Sequence, residues 1–397
     1  MKNLKNMQLD PVGEFYGTVI GEHQSGVYSI SAYLKKAIVP DMLQLAVNDL
    51  MKRLPFLCGR LIKDKEGLYH ELMTELPEIT VDDDTYTAYY LEGKGHVVRV
   101  RYGEFHIKVE AIHSIIDGGG LVKFTRGLVS RYFELQGLKF DRGDIVSCFD
   151  NTTDEESANA YERFARPLES EQKHETISAY HHEGVKKGAM KILRHTFDVS
   201  EIKKFAKPYT ITEYMMAHIF MALSKERGLQ DNNDLITSLL PINCRNFFPC
   251  DTYRNFVANA TILMPETKDF NDMLEQVHLQ FKTLDKNYVQ QVINILQGIH
   301  EQTKNMKMTE KEGVWKQFSD LEYESNTTTF SNLGLVKFPQ EIEEEVEHLE
   351  FIVSLPESMP TSFSSITVGN KLTLAISYTL DCEGIFQRML ENICTGE

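Results

Sequence analysis

The sequence predicts an α/β (α+β) protein built as two halves, with strands and helices interleaved in each. Three observations carry that expectation. The hydrophobic period switches repeatedly between about 2 and about 3.6 residues along the chain. A charge-rich stretch without periodicity separates two segments that carry similar ingredients. At about 100 to 200 residues per domain, 397 residues supply two or three packing units. The expected division is residues 1–140, a crossover at 141–190, and residues 191–397.

Pro40 suits the first turn of a helix, and Leu43, Val47, Leu50 and Leu54 follow at helical spacing until Pro55 ends the run. Beyond Asp83 the period becomes two. Val98 and Val100 alternate with Arg99 and Arg101, Tyr102-Gly103-Glu104 turns the chain, and Phe105, Ile107, Val109 and Ala111 alternate with His106, Lys108 and Glu110. After three glycines the helical period returns on Leu121, Phe124, Leu128 and Tyr132, with Gly137 as terminator. The crossover, richest in charged and small residues from Asn151 to Gly188, leads to a strand in MKILRHTFDV. Helices follow at Glu201 to Lys207 and from Thr212 to Gly228. Further strands are expected at Leu235 to Ile242, Asn259 to Met264 and Thr327 to Val336, with one amphipathic helical stretch from Phe270 to Ile299. SFSSITVGNKLTLAISY reads as a hairpin turning at Gly369-Asn370, and EIEEEVEHLE as a solvated acidic segment.

Composition bounds the function. Hydrophobic residues make up 42% and charged residues 25%, ordinary for a soluble globular chain. A formal charge of -16 opposes a nucleic-acid role resting on a general basic surface. The six cysteines show no C-x-x-C spacing, which fits reduced thiols better than disulfides or a zinc site. The opening residues carry no apolar core of a signal peptide and no run of about 18 apolar residues occurs, so no membrane span and a cytoplasmic address are expected.

The chemistry concentrates in VEAIHSIIDGGGLVKF, residues 109–124. Strand parity places His113 on the apolar side, so its imidazole should point inward. Asp117 follows four residues later, then Gly118, Gly119 and Gly120, which permit positive φ and a tight exit into the helix. A histidine at a strand end, a nearby aspartate and a glycine-rich turn fit an oriented general base. The alternative is a core histidine bonded to backbone, with Asp117 capping the next helix. Cys244 and Cys250 have no histidine in local register and read as small hydrophobes. His181 and His182, beside Glu183, read as surface residues rather than metal ligands, and no Gly-Lys-Ser/Thr follows the glycines to make a phosphate loop.

His113-Ser-Ile-Ile-Asp117-Gly118 resembles the H-x-x-x-D-G signature of the coenzyme-A-dependent acyltransferase superfamily. That superfamily includes chloramphenicol acetyltransferase, plant BAHD acyltransferases, alcohol acetyltransferases and the condensation domains of peptide synthetases. Residues 43–61 resemble its opening helix and strand, PINCRNFFPCDTYRNFVANATILMP (241–265) its P-[VI]-[ND]-x-R segment, and TTTFSNLG (327–334) its Asn-x-Gly strand. The four matches keep the family's order from residue 43 to residue 334. Two features depart: Ile112 stands where many members carry a second histidine, and the D-F-G-W-G motif of the plant branch is missing.

The resemblance implies two chloramphenicol-acetyltransferase-like halves with mixed sheets and an active-site tunnel between them. It implies that His113 is the catalytic base and that Asp117 gives structural support by pairing with Arg245. Ser331 or Asn332 would face the oxyanion. Acyl-CoA would be a co-substrate, with no cofactor bound permanently, and the acceptor a small alcohol or amine. Between Lys186 and Lys207, seven basic residues face two acidic ones. Lys203, Lys204 and Lys207 of this stretch are candidates for the phosphates of CoA, or for an acidic acyl carrier protein. Two other functions stay open: carrier-protein-dependent condensation forming an ester or amide, and a non-catalytic binding protein of the same fold.

Overall fold

The computed structural model describes residues 6–20, 26–64, 67–83, 95–167, 177–181, 190–227, 234–355 and 359–396. In the first half the order is β1 (Asn6–Gln8), α1 (Pro11–Val19), β2 (Val27–Leu34), α2 (Pro40–Arg53), β3 (Gly59–Lys63), β4 (Leu68–Leu72), β5 (Thr80–Val81), β6 (Val98–Tyr102), β7 (His106–Ile112), α3 (Gly118–Leu135) and α4 (Ala160–Phe164). The second runs β8 (Lys191–Asp198), α5 (Val199–Ala206), α6 (Ile211–Arg227), β9 (Thr237–Asn243), β10 (Val257–Leu263), α7 (Phe270–Phe281), α8 (Lys286–Thr303), α9 (Met308–Glu324), β11 (Thr328–Val336), α10 (Gln340–Glu343), β12 (Val346–Val353), β13 (Thr361–Val368), β14 (Lys371–Tyr378) and α11 (Glu383–Thr395).

These strands form a five-stranded mixed sheet, β12-β2-β7-β6-β5, a six-stranded mixed sheet, β10-β9-β11-β13-β14-β8, and a small sheet, β1-β4-β3. The helix expected from Pro40 is α2. Its stripe of Leu43, Val47, Leu50 and the adjoining Leu54 is fully buried, and it packs with the Leu121, Phe124, Leu128 and Tyr132 stripe of α3 against the five-stranded sheet. A second core gathers α6, α7 and α11 on the six-stranded sheet, around Phe220, Phe330, Phe363 and Phe386. A third, smaller cluster joins α1, α4, β10 and α8 through Val12, Tyr161, Phe256 and Ile293.

The sheets are tied together by β12. It hydrogen-bonds antiparallel to β2, while its Phe351 carbonyl accepts Ser364 Oγ of β13 at 2.6 Å and its Glu350 Oε1 pairs with Arg194 Nε of β8 at 2.9 Å. The acidic run therefore differs from the expected solvated segment. Ile342, Val346, Leu349 and Glu350 are buried, because apolar residues recur inside the run on the side that meets the core. The stretch from Phe270 to Ile299 is two helices, broken where Asp285 accepts the amides of Asn287 and Tyr288 and starts α8. Phe105 lies in the turn before β7 and is exposed, not a strand position.

The crossover is packed where it is described. Glu156 forms a buried bidentate pair with Arg53, and the fully buried Tyr161 bonds the amide and carbonyl of Val257 through its hydroxyl. His182, Glu183, Lys186 and Lys187 lie outside the described residues, as does the remainder of that stretch from 184 to 189. His181 is described, with Nε2 3.2 Å from the Glu324 carbonyl. Among the described residues no helix is long and apolar enough to cross a membrane.

Candidate active site

His113 follows the last residue of β7, and its backbone amide donates to the Gly26 carbonyl at 2.9 Å. The imidazole sits on the core side, as parity required, but keeps part of its surface accessible. The Tyr16 ring stacks on it, with centroids 4.1 Å apart and planes at 15°. Tyr28 lies 5.1 Å away on a tilted plane, its hydroxyl donating to the Ile116 carbonyl.

A buried polar chain fixes the imidazole's protons. Nδ1 lies 3.2 Å from Asn255 Oδ1. The amide nitrogen of Asn255 donates to Asp10, at 3.0 Å to Oδ1 and 3.3 Å to Oδ2. Asp10 is completely buried and also receives the Gly13 amide, as N-cap of α1, with Arg254 Nη2 at 3.4 Å. Burial pushes the Asp10 carboxyl up, while Arg254, Gly13 and Asn255 pull it down. A carboxyl facing three donors acts as an acceptor, so the nitrogen of Asn255 must turn towards Asp10 and its oxygen towards His113. His113 therefore carries its proton on Nδ1, and the lone pair sits on Nε2. Burial lowers the His113 pKa from its ordinary value, opposed by the Asp117 charge, its own backbone carbonyl and Asn255. The imidazole is thus neutral near pH 7 and ready to accept a proton.

Asp117 does a different job. Its Oδ1 accepts the Gly120 amide at 2.8 Å, capping α3. Its Oδ2 accepts Arg245 Nη1 at 2.8 Å and the Phe256 amide at 2.7 Å. Arg245 also donates to the carbonyls of Thr252 and Arg254. Together Asp117 and Arg245 hold the segment that presents Asn255 to His113. Both sequence-based readings of Asp117, helix cap and arginine partner, describe contacts that coexist.

The glycines act through closeness rather than through positive φ, which none of Gly118, Gly119 and Gly120 adopts. A Cβ on Gly120 would stand 2.0 Å from the Tyr253 carbonyl oxygen, and one on Gly118 2.5 Å from Leu333 Cδ2. The first turn of α3 is thereby pressed against both the 252–256 segment and β11.

On β11, Leu333 rather than Ser331 or Asn332 is the side chain nearest that turn. The Asn332 amide donates to Thr212 Oγ1 at 2.9 Å and its oxygen accepts the Gly334 amide at 2.8 Å, so it braces a bulge. Ser331 is partly accessible. Lys203 and Lys204 on α5 and Lys207 just after it are exposed, beside β8 at the edge of the six-stranded sheet opposite β10. Lys204 pairs with Glu201 at 2.5 Å. Cys244 is fully buried, and burial pushes its thiol well above the ordinary value, which disfavours the thiolate.

The sequence reading missed Asp10, Tyr16, Tyr28 and Asn255. Asp10-Pro11 is a legible helix start, and Asn255 stands inside a segment already singled out. Their convergence on His113 joins three distant stretches of the chain, for which no local signal exists.

No protein-family model matches the chain, and no curated protein matches it by sequence. Solved structures do. Polyketide synthase associated protein 5 from Mycobacterium tuberculosis superposes with a TM-score of 0.65 at 13% identity, covering 98% of this chain and 97% of that one. The first condensation domain of the CDA synthetase gives 0.64 at 10% identity over 100% and 97%. F. graminearum TRI101, complexed with coenzyme A and T-2 mycotoxin, gives 0.62 at 12% identity over 96% of each chain. The chain has the fold of condensation domains and of this CoA-complexed protein, along its whole length.

Proposed function

We propose that the protein transfers an acyl group from acyl-CoA to an alcohol or amine, with His113 as general base. The observation that carries this reading is the Asp10–Asn255–His113 chain, which places the imidazole proton on Nδ1 and leaves Nε2 as the proton acceptor. The likeness to TRI101, solved with coenzyme A, supports the choice of donor.

Nε2 takes the proton of the acceptor hydroxyl or amine as that atom attacks the thioester carbonyl. The new C–O or C–N bond forms and the carbonyl oxygen becomes an oxyanion. On its collapse the C–S bond breaks, and the imidazolium returns its proton to the departing thiolate of CoA. Such acid–base work contributes about 10² to 10⁴ in rate. Ser331 or Asn332 is the oxyanion donor in this reading, since the amide that gives one N–H to Thr212 carries a second. Asp117 and Arg245 act as positioning residues. The exposed Lys203, Lys204 and Lys207 are the residues proposed for the phosphates of CoA.

Release of free CoA thiol from acetyl-CoA and longer acyl-CoAs, measured with a panel of alcohols and amines, tests the reading. His113→Ala should lower it at least about a hundredfold; unchanged turnover would refute the base.

The likeness to condensation domains supports a second reading, in which the thioester is carried by an acyl carrier protein and the same base acts. Charge reversal at Lys203 and Lys204 should then weaken capture of that carrier.

A further inference from the structure

The inference below rests on the acyl-transfer reading and concerns which acceptor the site takes. Val257 and Asn259 lie on one face of β10, since successive side chains alternate sides, and Asn255 stands two residues before that strand. Val257 and Asn259 keep accessible surface, whereas Phe256, Ala258 and Ala260 are closed. Asn255 itself is fully buried against His113, and the face opens at Val257 and Asn259 and reaches Glu322 of α9, whose Oε1 accepts Asn259 Nδ2 at 2.6 Å. Glu322 belongs to the inward stripe of α9, at helical spacing from the buried Trp315 and from Phe318, both packed on Phe15 of α1. Tyr16, the next residue, spans the two ends: its ring covers His113 and its hydroxyl feels the Glu322 carboxylate.

An acid on an inward stripe is normally compensated by a cation. Glu322 has no lysine, arginine or histidine partner among the described residues, and the neutral Asn259 is the one side chain bonded to its carboxylate there. Burial pushes its carboxyl up, and Asn259 only partly opposes this. A positive group arriving with the substrate would supply the missing charge.

We propose that Glu322 is a specificity residue that receives the ammonium group of an amino-bearing acceptor, while the hydroxyl or second amine of the same molecule lies at His113. Four residues of extended chain from Asn255 to Asn259 span at most about 14 Å, so the two ends of the acceptor are on the order of 10 Å apart. The substrate class is an amino alcohol or diamine with a chain of roughly eight atoms between its polar ends.

The matched probes are 8-amino-1-octanol and 1-octanol, compared by CoA release from acetyl-CoA and by calorimetric binding. The aminated probe should show a KM and a Kd at least about tenfold lower than 1-octanol in the wild-type protein. Glu322→Gln and Glu322→Met should bring the ratio close to one. Equal affinity for the two probes in the wild type, or a ratio that survives both variants, would overturn the assignment. His113→Ala separates this inference from its premise. It should abolish turnover and keep the tenfold binding preference, so a His113→Ala protein that keeps both its turnover and the preference would refute the base and not the subsite.

Discussion

His113 and Asp117 stand four residues apart in one turn and are treated in opposite ways by the fold. Asp117 is 3% exposed and both its oxygens are filled, by two backbone amides and Arg245. His113 is partly accessible, bonded to Asn255 through Nδ1, and its Nε2 has no side-chain partner among the described residues. Full satisfaction rigidifies a buried polar group, whereas an unused lone pair at an accessible surface is what proton transfer requires. The comparison teaches that the motif combines a fully bonded carboxylate with an imidazole that keeps accessible surface, and that Asp117 reaches His113 indirectly, by holding the segment that carries Asn255.

The largest expected effect on activity comes from the reactive half of the pair. His113→Ala should remove at least about a hundredfold of kcat, with a melting temperature near that of the wild type. Asp117 should behave the other way. Asp117→Asn leaves the largely buried Arg245 without its counter-charge and should destabilise the protein by about 3 to 5 kcal/mol, read by urea denaturation, with activity falling alongside. A fully stable Asp117→Asn protein with a purely kinetic defect would erase the distinction.

Gly120→Ala sets a Cβ against a backbone oxygen, which cannot move aside, and should cost about 1 to 3 kcal/mol. Gly118→Ala meets only the end of the Leu333 side chain, which can rotate, so its cost should be smaller; equal losses would show that the close approach to Tyr253 is not what requires glycine.

Asn255→Ala sharpens the comparison most finely. The Asn255 bond raises the His113 pKa against the lowering by burial. In the proposed mechanism activity requires neutral His113, so kcat/KM should rise with pH through a value below the ordinary histidine range. Removing Asn255 should shift that acid limb to still lower pH and reduce the plateau by about tenfold, as a base free to change tautomer is less often correctly protonated. A lowered plateau with an unmoved limb would mean that Asn255 serves packing alone.

Much of the frame was legible locally. The stripes of α2 and α3, the alternation in β6 and β7, the Gly369-Asn370 hairpin and the Asp117 cap each arise from neighbours within a few residues. The α8 start at Asp285 was equally local, yet a continuous apolar pattern across Phe270 to Ile299 hid it. β12 escaped notice because its run of glutamates resembles a solvated surface, while its buried face is defined by β2 and β13. The Asp117–Arg245 contact was expected from the resemblance, not from spacing.

The sequence by itself determined that this chain interleaves strands and helices in two halves, and that His113 stands at the exit of a strand, four residues before a helix-capping aspartate. Those features depend on period, capping and turn chemistry, which act over a few residues. Only the tertiary structure decided which nitrogen of His113 is free, because that depends on Asp10 and Asn255 meeting across more than two hundred residues. It alone also placed Glu322 against Asn259 of β10, since an acid on a helix acquires meaning from the strand and the tyrosine around it.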